Sequence, residues 1–246
     1  MQFTYDLAPQ LGTRATIGLV TLQSDETIEH DMRRIFPLDG VACYATRVPS
    51  GTEVSKDTLA EMEGNLTGAA SLFPGPARFD VVGYGCTSGT SVIGAETVAG
   101  MIKKGCETKA VTDPLTALIA ACEALGARRL AVLSPYVAEV NSALITALAR
   151  AGIEVALLGT FNEEREEFAA RIAPKSIAQA AETLAKQGDF DAIFLSCTNL
   201  RTLDVIAVIE AETGLPVLSS NQVLGWHMAR LAGLDPLGRF GRLMAE

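Results

Sequence analysis

The sequence predicts an α/β protein made of two similar Rossmann-like subdomains with parallel sheets. Short apolar runs alternate with longer amphipathic runs along the 246-residue chain, and this alternation is typical of strands that are each followed by a helix. Several short runs, such as DVVGYG, LAVLS and AIFLS, are apolar at nearly every position. Strands buried on both faces of a parallel sheet have this pattern.

The apolar runs place eight strands along the chain. They are Thr16–Leu22, Val41–Val48, Phe79–Tyr84, Lys109–Val111, Arg129–Leu133, Glu154–Leu158, Ala192–Ser196 and Pro216–Leu218. The amphipathic runs between them predict helices, among them Thr58–Ala70, Pro114–Leu125, Val137–Ala151, Ser176–Gln187, Thr202–Thr213 and Asn221–Leu231. The third of these ends at a glycine, the residue that most often follows a helix.

Two segments of the chain follow one pattern. ARFDVVGYGCTSGTSVIGAETVAGMI and GDFDAIFLSCTNLRTLDVIAVIEAET each contain an apolar strand, a Cys-Thr pair, a polar turn and a helical run. Two explanations of this similarity stay open: an internal duplication, and the strand-turn-helix pattern that all α/β units share. We predict one subdomain formed by residues 1–112 and 220–246, which carries Cys86, and a second formed by residues 113–219, which carries Cys197.

Composition and charge exclude several classes of protein. The formal net charge of −9 disfavours binding to nucleic acids or anionic membranes, which attract basic surfaces. No apolar run reaches the length of about 20 residues that a membrane-spanning helix needs, and the N-terminus lacks the pattern of a signal peptide. Five cysteines without CxxC spacing then indicate free thiols in a cytoplasmic protein. The chain has only two histidines, which argues against a histidine-rich metal site or a Ser-His-Asp triad. We therefore expect no metal.

Cys86 and Cys197 are the candidate catalytic residues. Each follows a predicted strand and precedes a helical run, so each is expected at a helix N-terminus, where backbone N–H groups and the helix dipole favour an anion. Such a field lowers a thiol's pKa from about 8.5 toward neutrality. The neighbouring polar side chains are candidates for binding carboxylate oxygens of a substrate: Thr87, Ser88, Thr198 and Asn199.

Two opposed thiols allow two reactions without a metal or cofactor. In the first, one thiolate removes a proton from a carbon and the opposite thiol supplies a proton to the other face, which inverts the centre. In the second, a thiolate adds to an activated double bond, the bond rotates, and elimination gives the other geometric isomer. Cys43, Cys106 and Cys122 lack the paired context and are interpreted as structural residues.

These motifs resemble the aspartate/glutamate racemase superfamily, and within it the maleate isomerase and arylmalonate decarboxylase branch. The resemblance runs from TIGLV through YGCTSG, ALGARRLAVLSPYVAEVN and LSCTNLRTLDVI to GLPVLSSNQ. LQSDETIEHDMRR together with SCTNLRTLDVI is also similar to the ectoine-utilisation subgroup. The resemblance implies a pseudo-twofold relation between the subdomains, a site in the cleft between them, no cofactor, and a homo-oligomer.

The resemblance also implies roles for individual residues. Superfamily racemases and maleate isomerases have both cysteines, whereas the decarboxylases typically have glycine at the first position. Cys86 and Cys197 therefore imply an isomerase or racemase that acts on a small carboxylate or amino-acid-like substrate. Thr87 and Ser88 match hydroxyls that hold a carboxylate in the decarboxylases, and Tyr136 matches a tyrosine that hydrogen-bonds the substrate.

Two positions depart from the maleate isomerase pattern. Asp25 stands where those enzymes carry an asparagine, and Glu166 or Glu167 stands near the place of a second asparagine. The added negative charge argues against plain maleate as the substrate. It is compatible with a substrate that carries an amino group, which an acidic side chain can bind.

Several alternatives stay open at this level. Asp25 is also a good cap for the helix that follows it, Tyr136 can cover the interface between subdomains, and Asn199 can bond its own turn. Cys197 alone, as a proton donor, would give an arylmalonate-type decarboxylase. The cleft can also belong to a non-catalytic module that binds a small ligand.

Overall fold

The computed structural model describes residues 1–51, 55–235 and 239–246, and both gaps fall in the range predicted for the first subdomain. Eight strands form in this part of the chain. They are β1 (Ala15–Leu22), β2 (Val41–Val48), β3 (Phe79–Gly85), β4 (Thr108–Thr112), β5 (Arg129–Ser134), β6 (Glu154–Thr160), β7 (Ala192–Leu195) and β8 (Val217–Ser219). All eight predicted strands are confirmed, with ends that differ by two residues at most.

The strands form two four-stranded sheets with the same topology. The order in the first sheet is β2-β1-β3-β4, and in the second it is β6-β5-β7-β8. Every strand pair is parallel. The predicted fold class is therefore confirmed, because both halves contain a parallel sheet and the two sheets have the same strand order. In each sheet, the carboxyl ends of the strands lie at one edge.

Helices connect the strands. They are α1 (Ile28–Ile35), α2 (Lys56–Glu61), α3 (Leu66–Ala70), α4 (Thr87–Ile93), α5 (Ala95–Gly105), α6 (Pro114–Leu125), α7 (Ala138–Arg150), α8 (Glu166–Ala169), α9 (Pro174–Ala185), α10 (Ile206–Thr213) and α11 (Ser220–Leu231). Two short 3₁₀ helices occupy Glu63–Asn65 and Arg242–Ala245. No helix in the described ranges is both long and apolar enough to span a membrane.

Two predicted helices differ from the structure. The run Thr58–Ala70 is divided into α2, a 3₁₀ turn and α3, because Gly64 and Asn65 favour turns over a continued helix. The run Thr202–Thr213 becomes helical only from Ile206. The residues before it form turns, and this moves the helix away from Cys197.

The inner strands are buried on both faces. All eight residues of β1 and all four of β7 are buried, which explains their continuous apolar runs. α11 leaves the second sheet after β8 and packs against α6, and also against β3 and α1 of the first half. The division into residues 1–112 plus 220–246 and residues 113–219 stays a prediction.

The contact between α3 and α5 depends on Gly105. A Cβ at this position would lie 2.5 Å from the Thr67 carbonyl oxygen and 2.6 Å from the Ala70 Cβ. We expect Gly105→Ala to lower the free energy of unfolding by about 1–3 kcal/mol, because the backbone must shift to relieve the overlap. Gly100→Ala in the same helix is the control, since nothing lies within 4 Å of its added Cβ. It should raise stability by about 0.5–1 kcal/mol, and equal urea midpoints for the two variants would contradict this account.

Candidate active site

The candidate site lies where strands of both sheets end. Asp25 follows β1, Cys86 follows β3, Tyr136 follows β5, Cys197 follows β7 and Ser220 follows β8. In open parallel sheets, ligands bind beyond the carboxyl ends of the strands. The five residues come from sequence positions far apart, and the two sheets bring them into one polar cluster.

Cys86 caps the N-terminus of α4, as predicted. Its Sγ accepts a hydrogen bond from the Gly89 backbone N–H at 3.1 Å. The residue is buried, with 5% of its surface exposed. The extended backbone of Cys86 followed at once by helix explains this geometry, because the first N–H groups of a helix lack partners within it.

Cys197 is held differently, and its predicted place at a helix N-terminus is wrong. α10 begins only at Ile206, and Cys197 instead has a backbone φ of 154°, a conformation that costs free energy for any residue except glycine. Its Sγ accepts a hydrogen bond from the Asn199 N–H at 3.3 Å. Two hydroxyl groups complete its surroundings, those of Ser220 and Tyr136.

Ser220 joins the two cysteine turns. Its Oγ accepts a hydrogen bond from the Cys197 backbone N–H at 3.0 Å and lies 2.8 Å from the Thr87 hydroxyl. A second link runs from the Thr198 hydroxyl to the Gly85 carbonyl oxygen at 3.3 Å. These contacts link the two residues that flank Cys86 to the Cys197 turn, Thr87 through Ser220 and Gly85 through Thr198.

Three hydroxyl groups were predicted to bind substrate, and they differ in what they contact. Thr87 bonds Ser220, and Thr198 bonds Gly85. Ser88 is half-buried, and its side chain makes no hydrogen bond to any residue that the structure describes. Ser88 therefore has a free hydroxyl beside Cys86, and the substrate contacts of Thr87 and Thr198 stay predictions.

Tyr136 connects Cys197 to Glu166. Its Oη donates to Glu166 Oε1 at 2.8 Å and lies 3.0 Å from Cys197 Sγ. A phenol has one proton to donate, so when it bonds the carboxylate, the Cys197 S–H is the donor to Tyr136. All three side chains are buried. Tyr136 therefore contacts a candidate catalytic thiol directly.

Glu166, and not Glu167, reaches into the site. Glu166 begins α8 and is 4% exposed, whereas the Glu167 side chain is 61% exposed and lies near Arg171. The Asn199 Nδ2 group donates to Glu166 Oε2 at 2.8 Å, and the Asn199 Oδ1 accepts from the Glu26 N–H at 2.9 Å. Asn199 thus ties the start of α1 to Glu166, and its contact with substrate stays a prediction.

Asp25 both caps a helix and lies in the site. Its Oδ1 accepts hydrogen bonds from the backbone N–H groups of Thr27 and Ile28, each at 2.8 Å. These bonds satisfy N–H groups at the start of α1, as the capping alternative requires, although the N-cap position itself is Thr27. Its Oδ2 is buried and has no hydrogen-bond partner among the described residues. Burial raises the pKa of Asp25, and the two backbone bonds oppose this effect.

The pKa of both thiols is raised, which contradicts the expectation of a lowered value. Burial raises the pKa of Cys86 to about 12. The negative charges of Glu166 and Asp25 add to this effect, and hydrogen bonds from the Gly89 N–H and the Tyr84 hydroxyl oppose it. Burial and the Glu166 charge also raise the pKa of Cys197 well above its usual range. Desolvation and two carboxylates outweigh the backbone N–H groups. Both thiols are therefore protonated at neutral pH in this structure.

Three buried residues of the site were not predicted from the sequence: Ser220, Asn221 and Asp31. Ser220 follows β8, so the rule that identified the other residues, a polar side chain after a strand, would have found it. Asn221 donates hydrogen bonds to Asp31 Oδ2 and to the Thr198 carbonyl oxygen, both at 2.8 Å. No local pattern pairs Asp31 with Asn221, because 190 positions separate them. They fix α1 and α11 to the Cys197 turn.

The two halves also meet at the surface beside the site. Glu26 and Arg171 form an ion pair at 3.4 Å, with side chains 43% and 56% exposed. A cavity of about 480 Å³ lies next to this pair and is lined in part by Glu26, Thr27 and Arg201. Exposed ion pairs contribute only about 0–1 kcal/mol, so this pair adds little to the contact between the two segments.

A family comparison matches more than half of the chain. The sequence profile of the arylmalonate decarboxylase family matches residues 96–244. This range contains Tyr136, Glu166, Cys197, Asn199 and Ser220, and it leaves Asp25 and Cys86 to comparisons with whole proteins.

Individual relatives extend the match over nearly the full length. The arylmalonate decarboxylase of Bordetella bronchiseptica is 28% identical, and the match covers 96% of this chain and 99% of the relative. The maleate isomerase of Nocardia farcinica is 26% identical over 94% of this chain and 95% of its own length. A crystal structure of a maleate isomerase from Pseudomonas putida S16 with maleate has a TM-score of 0.82 at 25% identity, and the match covers 94% of this chain and 97% of that one.

Proposed function

Because the chain belongs to the arylmalonate decarboxylase family, we propose that it is a cofactor-independent isomerase or racemase that acts on a small carboxylate or amino-acid-like substrate through Cys86 and Cys197. The observation that carries the proposal is the joining of the two cysteine turns by Ser220, whose hydroxyl contacts Cys197 N–H and Thr87. Relatives that act as isomerases and as a decarboxylase support the class of reaction.

The proposed racemase reaction uses one thiol on each side of the substrate. One cysteine, as thiolate, takes the proton from the carbon next to the carboxylate, and the other, as thiol, gives a proton to the opposite face. The protein ends each turnover with the two protonation states exchanged, so no oxidant or net proton is needed. For a double bond, the same thiolate adds to one carbon, the new single bond rotates, and elimination restores the thiolate.

The surroundings of Cys86 support binding of the substrate carboxylate there. The free Ser88 hydroxyl and the backbone N–H groups at the start of α4 offer hydrogen-bond donors beside Cys86. We propose Thr87, Thr198 and Asn199 as residues that shape this pocket, with Tyr136 on the opposite cysteine. A homo-oligomer, implied by the family resemblance, is part of the same proposal.

Proton NMR in deuterium oxide tests the proposed reaction. The purified protein is incubated with maleate, aspartate, glutamate, acylated diaminobutyrates, hydantoins and phenylmalonate. In a racemase reaction, deuterium should enter the α-carbon of one compound, because the carbanion left by proton removal takes up a deuteron. In a cis-trans isomerisation, fumarate signals should grow from maleate, because the thiol adduct can rotate before elimination. Carbon dioxide release from phenylmalonate would instead support the decarboxylase alternative. A rise in melting temperature without any chemical change would support a binding module.

A further inference from the structure

The buried Asp25 carboxylate has an oxygen without a donor. The side chain is 3% exposed, and its Oδ1 already accepts both backbone bonds at the start of α1. The Thr198 hydroxyl lies close enough to Asp25 to lower its pKa, but its hydrogen bond at 3.3 Å is to the Gly85 carbonyl oxygen. Oδ2 has no partner at hydrogen-bond distance and geometry among the described residues. A buried acceptor without a partner costs about 1–3 kcal/mol, and more when it is charged. A ligand that donates to Oδ2 would remove this cost.

Glu166 supplies a second buried carboxylate in the same place. Each of its oxygens accepts one side-chain hydrogen bond, from Tyr136 and from Asn199. An ionised carboxylate has about four acceptor positions, so Glu166 keeps capacity for further donors. The negative charge of Asp25 raises the pKa of Glu166, in addition to the larger effect of burial. The two acids therefore lie within each other's electrostatic field.

The charge of Arg47 lowers the pKa of Asp25, but burial has the larger effect, and both Arg47 and Arg171 bind other groups directly. The Arg47 guanidinium bonds the backbone oxygens of Leu22, Gln23 and Asp25 and the Glu29 carboxylate, but not the Asp25 side chain. Arg171 pairs with Glu26 and Glu167. Two buried acids without a counter-ion are expensive in a folded protein. The raised pKa of both acids favours protonation as one way to lower this cost, and a positively charged ligand group between them is another.

We propose that Asp25 and Glu166 bind the ammonium group of the substrate, which is therefore a small carboxylate with an amino group at or beside the reacting carbon. This inference rests on the proposed function of the same site. An ammonium group has three N–H donors and no acceptor, which matches the unpaired Asp25 Oδ2 and the spare positions of Glu166. A dicarboxylate without an amino group would bring further negative charge to the two acids.

A bound ammonium group would also prepare the thiols. The charges of Glu166 and Asp25 oppose ionisation of both Cys86 and Cys197. A substrate cation between the acids offsets these charges, so a thiol loses its proton more readily when the correct substrate is bound. Selectivity for an amino group and activation of the thiol then follow from one contact.

Matched ligand pairs test the ammonium subsite without need for turnover. Alanine and lactate, aspartate and malate, and glutamate and 2-hydroxyglutarate share a carbon skeleton and differ in an ammonium or a hydroxyl group. Binding is measured by isothermal titration calorimetry on the full chain. We expect the amino member of at least one pair to bind tenfold or more tightly than its hydroxy partner. Asp25→Asn and Glu166→Gln should each lower this ratio toward one, because each removes a charge. Asp25→Asn can keep the two backbone bonds to Oδ1, whereas Glu166→Gln keeps an acceptor for only one of the two side-chain donors.

Glu167→Gln is the matched control. It removes the same charge from the same helix, but at a side chain that is 61% exposed, so the preference for the amino member should persist. The proposal is overturned if no amino member binds, if hydroxy members bind equally well, or if Glu167→Gln and Glu166→Gln lower the ratio equally. Thermal unfolding of each variant separates loss of binding from loss of fold.

The subsite and the reaction fail separately. Conversion of maleate to fumarate that needs both cysteines, without any preference for amino ligands, would keep the isomerase and overturn the subsite. A tenfold preference for an amino acid that Glu166→Gln abolishes, with no deuterium exchange, would keep the subsite and overturn the isomerase.

Discussion

Replacing either Cys86 or Cys197 by alanine should lower turnover of the exchanged substrate by about 10³-fold or more, while the fold is kept. Each thiol serves one face of the substrate, so the loss of one removes either the acid or the base of every complete reaction. A positioned acid or base contributes typically about 10²–10⁴-fold to rate. Rates are measured by deuterium incorporation in the proton NMR spectrum, and the fold is checked by urea unfolding.

Cys43→Ala is the control for the cysteine variants. Cys43 lies on β2 and is exposed, so its removal should leave turnover unchanged. A Cys86→Ala variant with full activity, beside an inactive Cys197→Ala variant, would identify a single-thiol enzyme of the decarboxylase type. Full activity in Cys197→Ala would contradict both mechanisms.

The structure gives a reason to expect the larger loss of activity in the Cys197 variant. Cys197 has a strained backbone and a contact with Tyr136, which in turn hydrogen-bonds Glu166. Cys86 has a regular capping geometry. Strain at a functional residue persists only where the surrounding contacts hold it, and Ser220 and Asn199 provide such contacts. We therefore expect Cys197→Ala to cost at least as much activity as Cys86→Ala.

The fold was predictable because its strands carry a strong local signal. A strand buried on both faces needs an unbroken apolar run, and β1, β3, β5 and β7 have one. Helix ends depend on weaker and more distant effects. The delayed start of α10 follows from the tertiary contacts of the turn after Cys197, and no residue type between Arg201 and Val205 forbids a helix.

The sequence pointed to several residues that the fold brings together, but it missed Ser220, Asn221 and Asp31 and gave the wrong direction for the pKa of the thiols. The positions after strands identified Cys86 and Cys197, and the family resemblance pointed to Tyr136. The pKa of a thiol depends on which charges lie near it in space, and the choice between Glu166 and Glu167 required the packing of α8. A rule based on the helix dipole alone gave the wrong direction, because it omitted burial and the two acids.

Stability should fall as pH rises from about 4 to 7, and Asp31 should account for a large part of this fall. Asp31 is 3% exposed, and burial raises its pKa from 3.8 to about 7 against the opposing effects of the Asn221 bond and of Arg34. Asp25 and Asp204 raise it further. The folded state therefore binds a proton at pH values where the unfolded state has released it.

The sign and size of this effect follow from linkage. A folded-state pKa above the unfolded value means that the full stability is present below about pH 4, declines between the two pKa values, and is constant above about pH 7. A difference from 3.8 to about 7 corresponds to roughly 4 kcal/mol. Asp25, Asp113 and Glu166 also have a raised pKa from burial, so the wild-type profile contains several contributions of one sign.

Asp31→Asn isolates the contribution of this residue. The amide oxygen can still accept the hydrogen bond from Asn221 Nδ2, but it carries no charge. We expect the variant and the wild type to have similar free energies of unfolding near pH 4.5, and the variant to be more stable by several kcal/mol at pH 8, as measured by urea unfolding. Asp39→Asn, at an exposed position of the loop before β2, should show no comparable step. Parallel pH profiles for Asp31→Asn and the wild type would mean that Asp31 is already ionised at low pH in the fold, and that Arg34 and Asn221 outweigh its burial.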